Sequence, residues 1–308
     1  MSIESIHTED RIFHPNKQLS KNSRVKDLAQ YQKLCESYKS DYEGTWGKLA
    51  NDLLIWDKPF TKILDDSTPP FYKWFDDGKL NASFNCLDRH VDSQPNKTAI
   101  IFEADDGNVT KVTYQELYER VCQFSNGLKT LNLNIGDRVI IYLPMGIEAI
   151  VAMQACARLG LTHSVVFGGF SAKSLQERIS DTTAKLVITS DGQFRGGKVI
   201  PLKSAIDDAI EMGDCESIEK VIVFNRTNEP FSKNDRDIMW DDLIRNQSTE
   251  CSPVSVPAEH PLFILYTSGS TGKPKGVQHS TAGFLLHAIN TCRLTFDLQD
   301  NDIYWCTA

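Results

Sequence analysis

The chain has 308 residues, 41% hydrophobic and 24% charged, enough apolar material for one large domain or two smaller ones. Its 33 basic and 41 acidic side chains leave a formal charge of −8, so the overall field opposes nucleic acid and anionic membrane as partners, and any anion must be gripped locally. Eight cysteines, with no C-x-x-C and no short histidine partnering, suggest neither a zinc site nor a disulfide framework.

The start, "MSIESIHTEDR", is acidic and has no apolar core of a leader, and no run approaches the roughly 18 apolar residues of a membrane span. The expectation is a reducing cytoplasm. The sequons at Asn81, Asn108, Asn225 and Asn246 are then chance matches. Residues 1–85 read as a helical, aromatic-rich extension that packs on the main domain. Val25, Leu28, Tyr31 and Leu34 recur at three-residue spacing, and "STPP" at 67–70 breaks the pattern. Trp46, Trp56 and Trp74 with Phe60, Phe71 and Phe75 are expected to pack this segment rather than to stack bases.

From residue 98 short β-branched runs alternate with helical periodicity: "TAIIFEA", "VTKVTY", then "RVIIYLP", "HSVVF", "KLVIT" and "KVIVF" with helices between. That alternation predicts an α/β fold with a mainly parallel sheet flanked by helices. Thr113 and Glu116 form a capping-box pattern ahead of the stripe Leu117, Val121, Phe124, Leu128 and Leu131. Pro144 and Gly146 open the next helix and Gly160 stands where a closing glycine belongs. Gly168 and Gly169 follow "HSVVF" at a carboxyl end of the sheet. "FRGGK" sets Arg195 and Lys198 around Gly196 and Gly197, so two cations can grip a phosphate while the backbone comes close. His90, His163, His279 and His287 have no spacing for a shared metal. At the end, "DIYWCTA" reads as a strand.

The apolar run "PLFIL" delivers the chain to "YTSGSTGKPKGVQH". Glycines 269, 272 and 276 let backbone N–H groups approach a ligand, Thr267, Ser268, Ser270 and Thr271 add hydroxyl donors, and Lys273 and Lys275 add charge. A polyphosphate suits that donor set. The spacing is not G-x-x-x-x-G-K-[ST], because Pro274 stands where the second glycine would be.

The string at 266–279 resembles the phosphate-binding signature of the adenylate-forming superfamily. "WFDDGKLNASFNCLDRHVD" (74–92), "GDRVIIYLPMGIEAIVAMQACARLGLTHSVVFGGFS" (136–171), "FRGGKVIPLK" (194–203) and "DIYWCTA" (302–308) are similar to the AMP-forming acetyl-CoA synthetases, and the resemblance covers the chain from about residue 25. It implies the N-terminal domain of the adenylate-forming fold, with residues 86–308 its first part. It also implies ATP, Mg²⁺ and coenzyme A as cofactors or substrates, and acetate as the acid. ATP phosphates would be held by Thr267, Ser268, Gly269, Ser270, Thr271, Gly272, Lys273, Lys275 and Gly276, in a loop that closes over the nucleotide; coenzyme A would be held by Arg195, Gly196, Gly197, Lys198 and Gly169. Catalytic residues, acid pocket, magnesium ligand and a small lysine-bearing domain are expected downstream of Ala308, in a missing C-terminal portion. Four charge-assisted hydrogen bonds at about 1.5–3 kcal/mol each hardly exceed an association cost of about 4–15 kcal/mol. The chain alone is therefore expected to bind ATP weakly and to be inactive. A non-catalytic CoA- or nucleotide-binding module, or a ligase for another short acid such as propionate, are the alternatives.

Overall fold

The computed structural model describes residues 13–267 and 274–305 and divides into two compact units. One runs to Leu53 and includes residues 286–307; the other is Leu54–Leu285.

The first unit begins with α1 (Lys17–Asn22), α2 (Leu28–Ser40) and α3 (Tyr42–Leu53). Asn16 and Asp27 cap the first two helices, their side-chain oxygens accepting the N–H groups of Gln18 and Gln30, both at 2.8 Å. The stripe expected at Val25, Leu28, Tyr31 and Leu34 is not an inward face. Val25 precedes the cap, Leu28 and Tyr31 are exposed, and the half-buried side of α2 is Leu34, Cys35 and Tyr38. The Tyr38 ring lies 5.4 Å from that of Trp46, and its hydroxyl accepts from Asn290 Nδ2 at 3.1 Å. Arg24 is bound to Asp297 through its backbone N–H at 3.1 Å and its guanidinium at 3.2 Å.

Helical structure expected to residue 85 stops at Leu53. Pro59, Pro69 and Pro70 interrupt the chain beyond it, and the segment forms β1 (Leu64–Asp65), β2 (Lys73–Trp74) and β3 (Lys79–Leu80). Phe75 lies 5.7 Å from Trp56, 4.6 Å from Phe60 and 5.7 Å from Trp74, so these aromatics pack together as expected; Phe71 departs from the expectation and is exposed. A π-turn at Phe84–Asp88 and α4 (Arg89–Val91) follow.

β4 (Thr98–Glu103) and β5 (Val109–Thr113) pair antiparallel as a separate ribbon instead of entering the main sheet. α5 (Tyr114–Lys129) starts on the expected capping box: Thr113 Oγ1 accepts the Glu116 N–H at 3.2 Å and Glu116 Oε2 accepts the Thr113 N–H at 2.8 Å. Then come β6 (Arg138–Tyr142), α6 (Ile147–Leu159), β7 (Thr162–Val165), α7 (Ala172–Thr182), β8 (Leu186–Ser190), β9 (Gly192–Arg195), β10 (Lys198–Pro201), α8 (Lys203–Glu211), β11 (Lys220–Phe224) and β12 (Asp237–Met239). α9 (Trp240–Ile244), β13 (Val256–Pro257), β14 (Pro261–Thr267), β15 (Lys275–Ser280) and α10 (Thr281–Leu294) complete the described elements.

Among the described residues the main sheet has seven strands in the order β12-β11-β8-β6-β7-β14-β15, parallel except for β15. Its central strands β6, β8 and β11 are apolar on both faces because helices cover both. Val139 and Ile141 of β6 join Val121 of α5 and Val151 of α6 in one core, while Ile140 and Tyr142 join Leu175 of α7 and Ile206 of α8 in the other. The helix after β6 therefore lies on one face, and those after β7 and β8 on the opposite face. That reversal opens a crevice at the carboxyl ends of these three strands. Asp302–Trp305, expected as a strand, forms none among the described residues, and Ile303, Tyr304 and Trp305 are exposed.

Arg158, near the end of α6, is 1% exposed and makes a two-point pair with Asp88 at 2.8 and 2.9 Å, with Cys251 O accepting at 2.6 Å. This buried pair ties the turn at residues 84–88 to the sheet's covering helix.

Candidate functional site

The crevice is built by the residues that leave β6, β7 and β8. At the end of β6 the Tyr142 hydroxyl accepts the Gly169 N–H at 3.1 Å and donates to Phe170 O at 2.9 Å, fixing the backbone after β7. Gly169 has φ +117°, a conformation that side chains disfavour. A Cβ there would sit 3.2 Å from Arg195 Nη1 and 3.6 Å from Gln193 Nε2. Gln193 in turn donates to Gly168 O at 2.9 Å.

Beyond β8, Asp191 is buried and its carboxylate gathers the N–H groups of Gly192 (2.7 Å), Arg226 (2.8 Å), Thr227 (3.0 Å) and Glu229 (3.0 Å). These bonds anchor the base of the β9–β10 hairpin. Its tip is Gly196–Gly197 with φ +57° and +75°, the two positive angles that a tight two-residue turn requires. No protein atom lies within 4 Å of a Cβ on either, so within the chain both glycines serve the turn. Arg195 and Lys198 face each other across the ladder next to that turn. The Arg195 guanidinium carbon lies 5.2 Å from the Phe167 ring centre, and neither cation pairs with a carboxylate among the described residues. Arg195 and Gly169 are thus in contact, with Lys198 beside them and Gly196 and Gly197 at the tip.

Of the residues expected to hold ATP phosphates, Thr267, Lys275 and Gly276 are described; Ser268, Gly269, Ser270, Thr271, Gly272 and Lys273 lie outside the described residues. β14 and β15 are antiparallel, with Tyr266 opposite Gly276 and Thr267 opposite Lys275, so the two ends of the polar stretch are held side by side at the sheet's carboxyl edge. A cavity of about 280 Å³ between α7 and this hairpin is lined by Lys173, Arg178, Asp181, Tyr266 and Pro274, among others.

No group of three His, Cys, Asp or Glu side chains suited to a metal is present among the described residues. His163 is buried beside Phe263, its Nδ1 without a hydrogen-bond partner, and burial pulls its pKa down to about 4. Tyr142, Phe167, Asp191 and Gln193 escaped the sequence reading. Phe167 flanks the glycine pair in "VFGGF", and an aspartate ending the apolar run "KLVITSD" signals a buried anchor.

The layers and the crevice at the reversal of strand order define a doubly wound α/β domain, with Gly169 and the cations Arg195 and Lys198 at that crevice. The chain belongs to the AMP-binding enzyme family, whose model matches residues 87–308; the model of the acetyl-coenzyme A synthetase N-terminus matches residues 31–86. The family boundary at 86/87 and the contact boundary at 53/54 differ, because Leu54–Leu80 packs with the sheet domain. Curated relatives include acetyl-coenzyme A synthetases of Laribacter hongkongensis, 57% identical over 307 residues, and Methylobacillus flagellatus, 58% identical over 308 residues. Each alignment covers 100% of this chain and 47% of the relative, so the chain spans about half the length of the curated relatives it matches. The solved acetoacetyl-CoA synthetase from Streptomyces lividans is 25% identical with a TM-score of 0.85, covering 94% of this chain and 46% of that one. No helix among the described residues is long and apolar enough to cross a membrane.

Proposed function

We propose that this chain supplies the coenzyme A and ATP-phosphate sites of an AMP-forming acetate–CoA ligase. The observation that carries this reading is the Arg195 guanidinium set against Gly169 at the carboxyl end of β7, one strand away from the polar stretch after β14. In the first step an acetate oxygen attacks the α-phosphorus of ATP, the bond to the bridging oxygen of pyrophosphate breaks, and acetyl-adenylate forms. In the second, the coenzyme A thiol gives up its proton, its sulfur attacks the acetyl carbonyl, and AMP leaves.

Residues 267–276 would take the negative charge that grows on the departing pyrophosphate, through fixed N–H and hydroxyl donors. Arg195 and Lys198 would hold a phosphate of coenzyme A while its chain passes over Gly169, where any side chain would meet Arg195. Mg²⁺ would enter with the nucleotide, and the remaining groups of the reaction would come from a portion equivalent to the other half of the relatives. The expected setting is the cytoplasm, with no nucleic-acid or membrane partner.

The test has two parts. The 308-residue chain alone should bind coenzyme A, with affinity falling at least tenfold in Arg195→Ala, and should show no acetate-dependent exchange of labelled pyrophosphate into ATP. Joined to the C-terminal half of the Laribacter relative it should show that exchange, and Arg195→Ala should impair thioester formation while sparing exchange. Equal coenzyme A binding by the Arg195→Ala chain would overturn the assignment.

A further inference from the structure

Phe167–Phe170 is a four-residue turn closed by the Phe170 N–H, which donates to Phe167 O at 3.1 Å, and the positive φ of Gly169 falls at its third position. The two commonest turns of this size differ chiefly in which way the central peptide faces. Here that peptide joins Gly168 to Gly169, and a pair of glycines accepts either orientation. The turn's own residues therefore do not decide where its central N–H and carbonyl point.

Two side chains from elsewhere decide it. The Gly169 N–H donates to the Tyr142 hydroxyl at 3.1 Å, and the Gly168 carbonyl, at the other end of the same peptide, accepts from Gln193 Nε2 at 2.9 Å. Both side chains are buried, and burial pushes the Tyr142 pKa up, so its hydroxyl keeps the proton that it gives to Phe170 O at 2.9 Å. Gln193 stands two residues before Arg195 on β9, hence on the same face of the hairpin. Both meet the glycine pair: a Cβ on Gly168 would lie 2.9 Å from Gln193 Oε1, and one on Gly169 3.2 Å from Arg195 Nη1. The N–H groups of Gly169 and Phe170 are thus both spent within the protein. Successive free N–H groups are what make a backbone bend an anion site, so this bend suits a slender chain and not a phosphate.

We propose that Tyr142 and Gln193 are positioning residues for the thiol-bearing chain of coenzyme A: gripping the Gly168–Gly169 peptide by its two ends, they hold the glycine pair in one orientation, as a passage beside the cations that take the phosphate. The inference rests on reading Gly169, Arg195 and Lys198 as the coenzyme A site. Neither residue supplies charge to the ligand. Each acts through the peptide it holds, fixing the passage before the ligand arrives, where preorganisation lowers the cost of binding. A ligand without the chain should sense neither.

The test titrates the 308-residue chain with coenzyme A and, in parallel, with 3′-phospho-ADP, which carries the phosphates without the chain. Gln193→Met keeps the side chain's length and removes the donor; Tyr142→Phe removes only the oxygen. Each should weaken coenzyme A binding about tenfold and 3′-phospho-ADP binding by less than about twofold, whereas Arg195→Ala should weaken both. Amide exchange followed by NMR reads the peptide directly. The Gly169 N–H should exchange about tenfold faster in Gln193→Met, although that variant leaves its acceptor, Tyr142, in place. Parental coenzyme A affinity in both Gln193→Met and Tyr142→Phe, or a parental Gly169 exchange rate in Gln193→Met, would refute the positioning role while the coenzyme A reading survives. Equal losses for the two ligands also refute it, because the chain would not be what the turn serves. If the parent binds no coenzyme A, or Arg195→Ala binds it undiminished, the coenzyme A reading fails and takes the positioning role with it.

Discussion

Replacing Gly169 with alanine separates two effects that the crevice combines. At φ +117° an alanine backbone is strained by about 1–3 kcal/mol. The added Cβ would also lie 3.2 Å from Arg195 Nη1, a contact relieved by moving the flexible end of that side chain. Such a shift takes the guanidinium off the Phe167 face, losing about 0.5–1 kcal/mol of cation–π attraction. Together these predict about 1.5–4 kcal/mol of lost stability in urea unfolding. If Arg195 holds a phosphate through a charge-assisted bond of about 1.5–3 kcal/mol, its displacement also lowers coenzyme A affinity by roughly tenfold to a hundredfold. The control is Gly107→Asn in the β4–β5 turn, at φ +80° with nothing within 4 Å of a Cβ, where asparagine tolerates the backbone; both quantities should hardly change. A Gly169→Ala chain with parental urea midpoint and parental coenzyme A affinity would refute the reasoning.

Two further outcomes follow from buried charge. Asp88→Ala leaves the Arg158 guanidinium, 1% exposed, without its carboxylate, and should cost about 3–5 kcal/mol in urea unfolding; a loss below about 1 kcal/mol would show that water or Cys251 O compensates. His163, with its folded pKa pulled down to about 4, stays neutral while the unfolded chain takes up a proton below its ordinary value of about 6.5. Stability from this group is therefore complete above about pH 6.5 and is lost as the pH falls toward 4, by roughly 3 kcal/mol in all. His163→Phe should flatten that part of the stability–pH curve, and an unchanged slope would show that His163 does not cause it.

Much of the fold could be read from the chain because its strands are short, β-branched and separated by helical periodicity. Thr113–Glu116 announced the start of α5, and Gly160, at φ +70°, the end of α6. The ribbon of β4 and β5 misled because an alternation of runs does not say which strands share a sheet. β15 was missed because "KGVQHS" has no apolar run; it is a strand because β14 is there to pair with it. At the candidate site, the paired glycines of "FRGGK" mark the hairpin turn that sets Arg195 opposite Lys198. Tyr142 and Asp191 announced nothing, because a tyrosine or aspartate at a strand end reads the same whether its oxygen meets water or several backbone N–H groups. Only the folded chain decides that.

The central strand β6 sends Val139 and Ile141 into one core and Ile140 and Tyr142 into the other, so nearly equal aliphatic volumes face both ways. A one-residue slip would exchange the two sets with little change in buried hydrocarbon. The phenol oxygen of Tyr142 breaks that near-degeneracy, since in the slipped alignment it would lose both the amide and the carbonyl it meets after β7. Fidelity of strand alignment and the shape of the crevice thus both draw on one atom, and a variant that lacks it should misalign as readily as it loosens the backbone after β7.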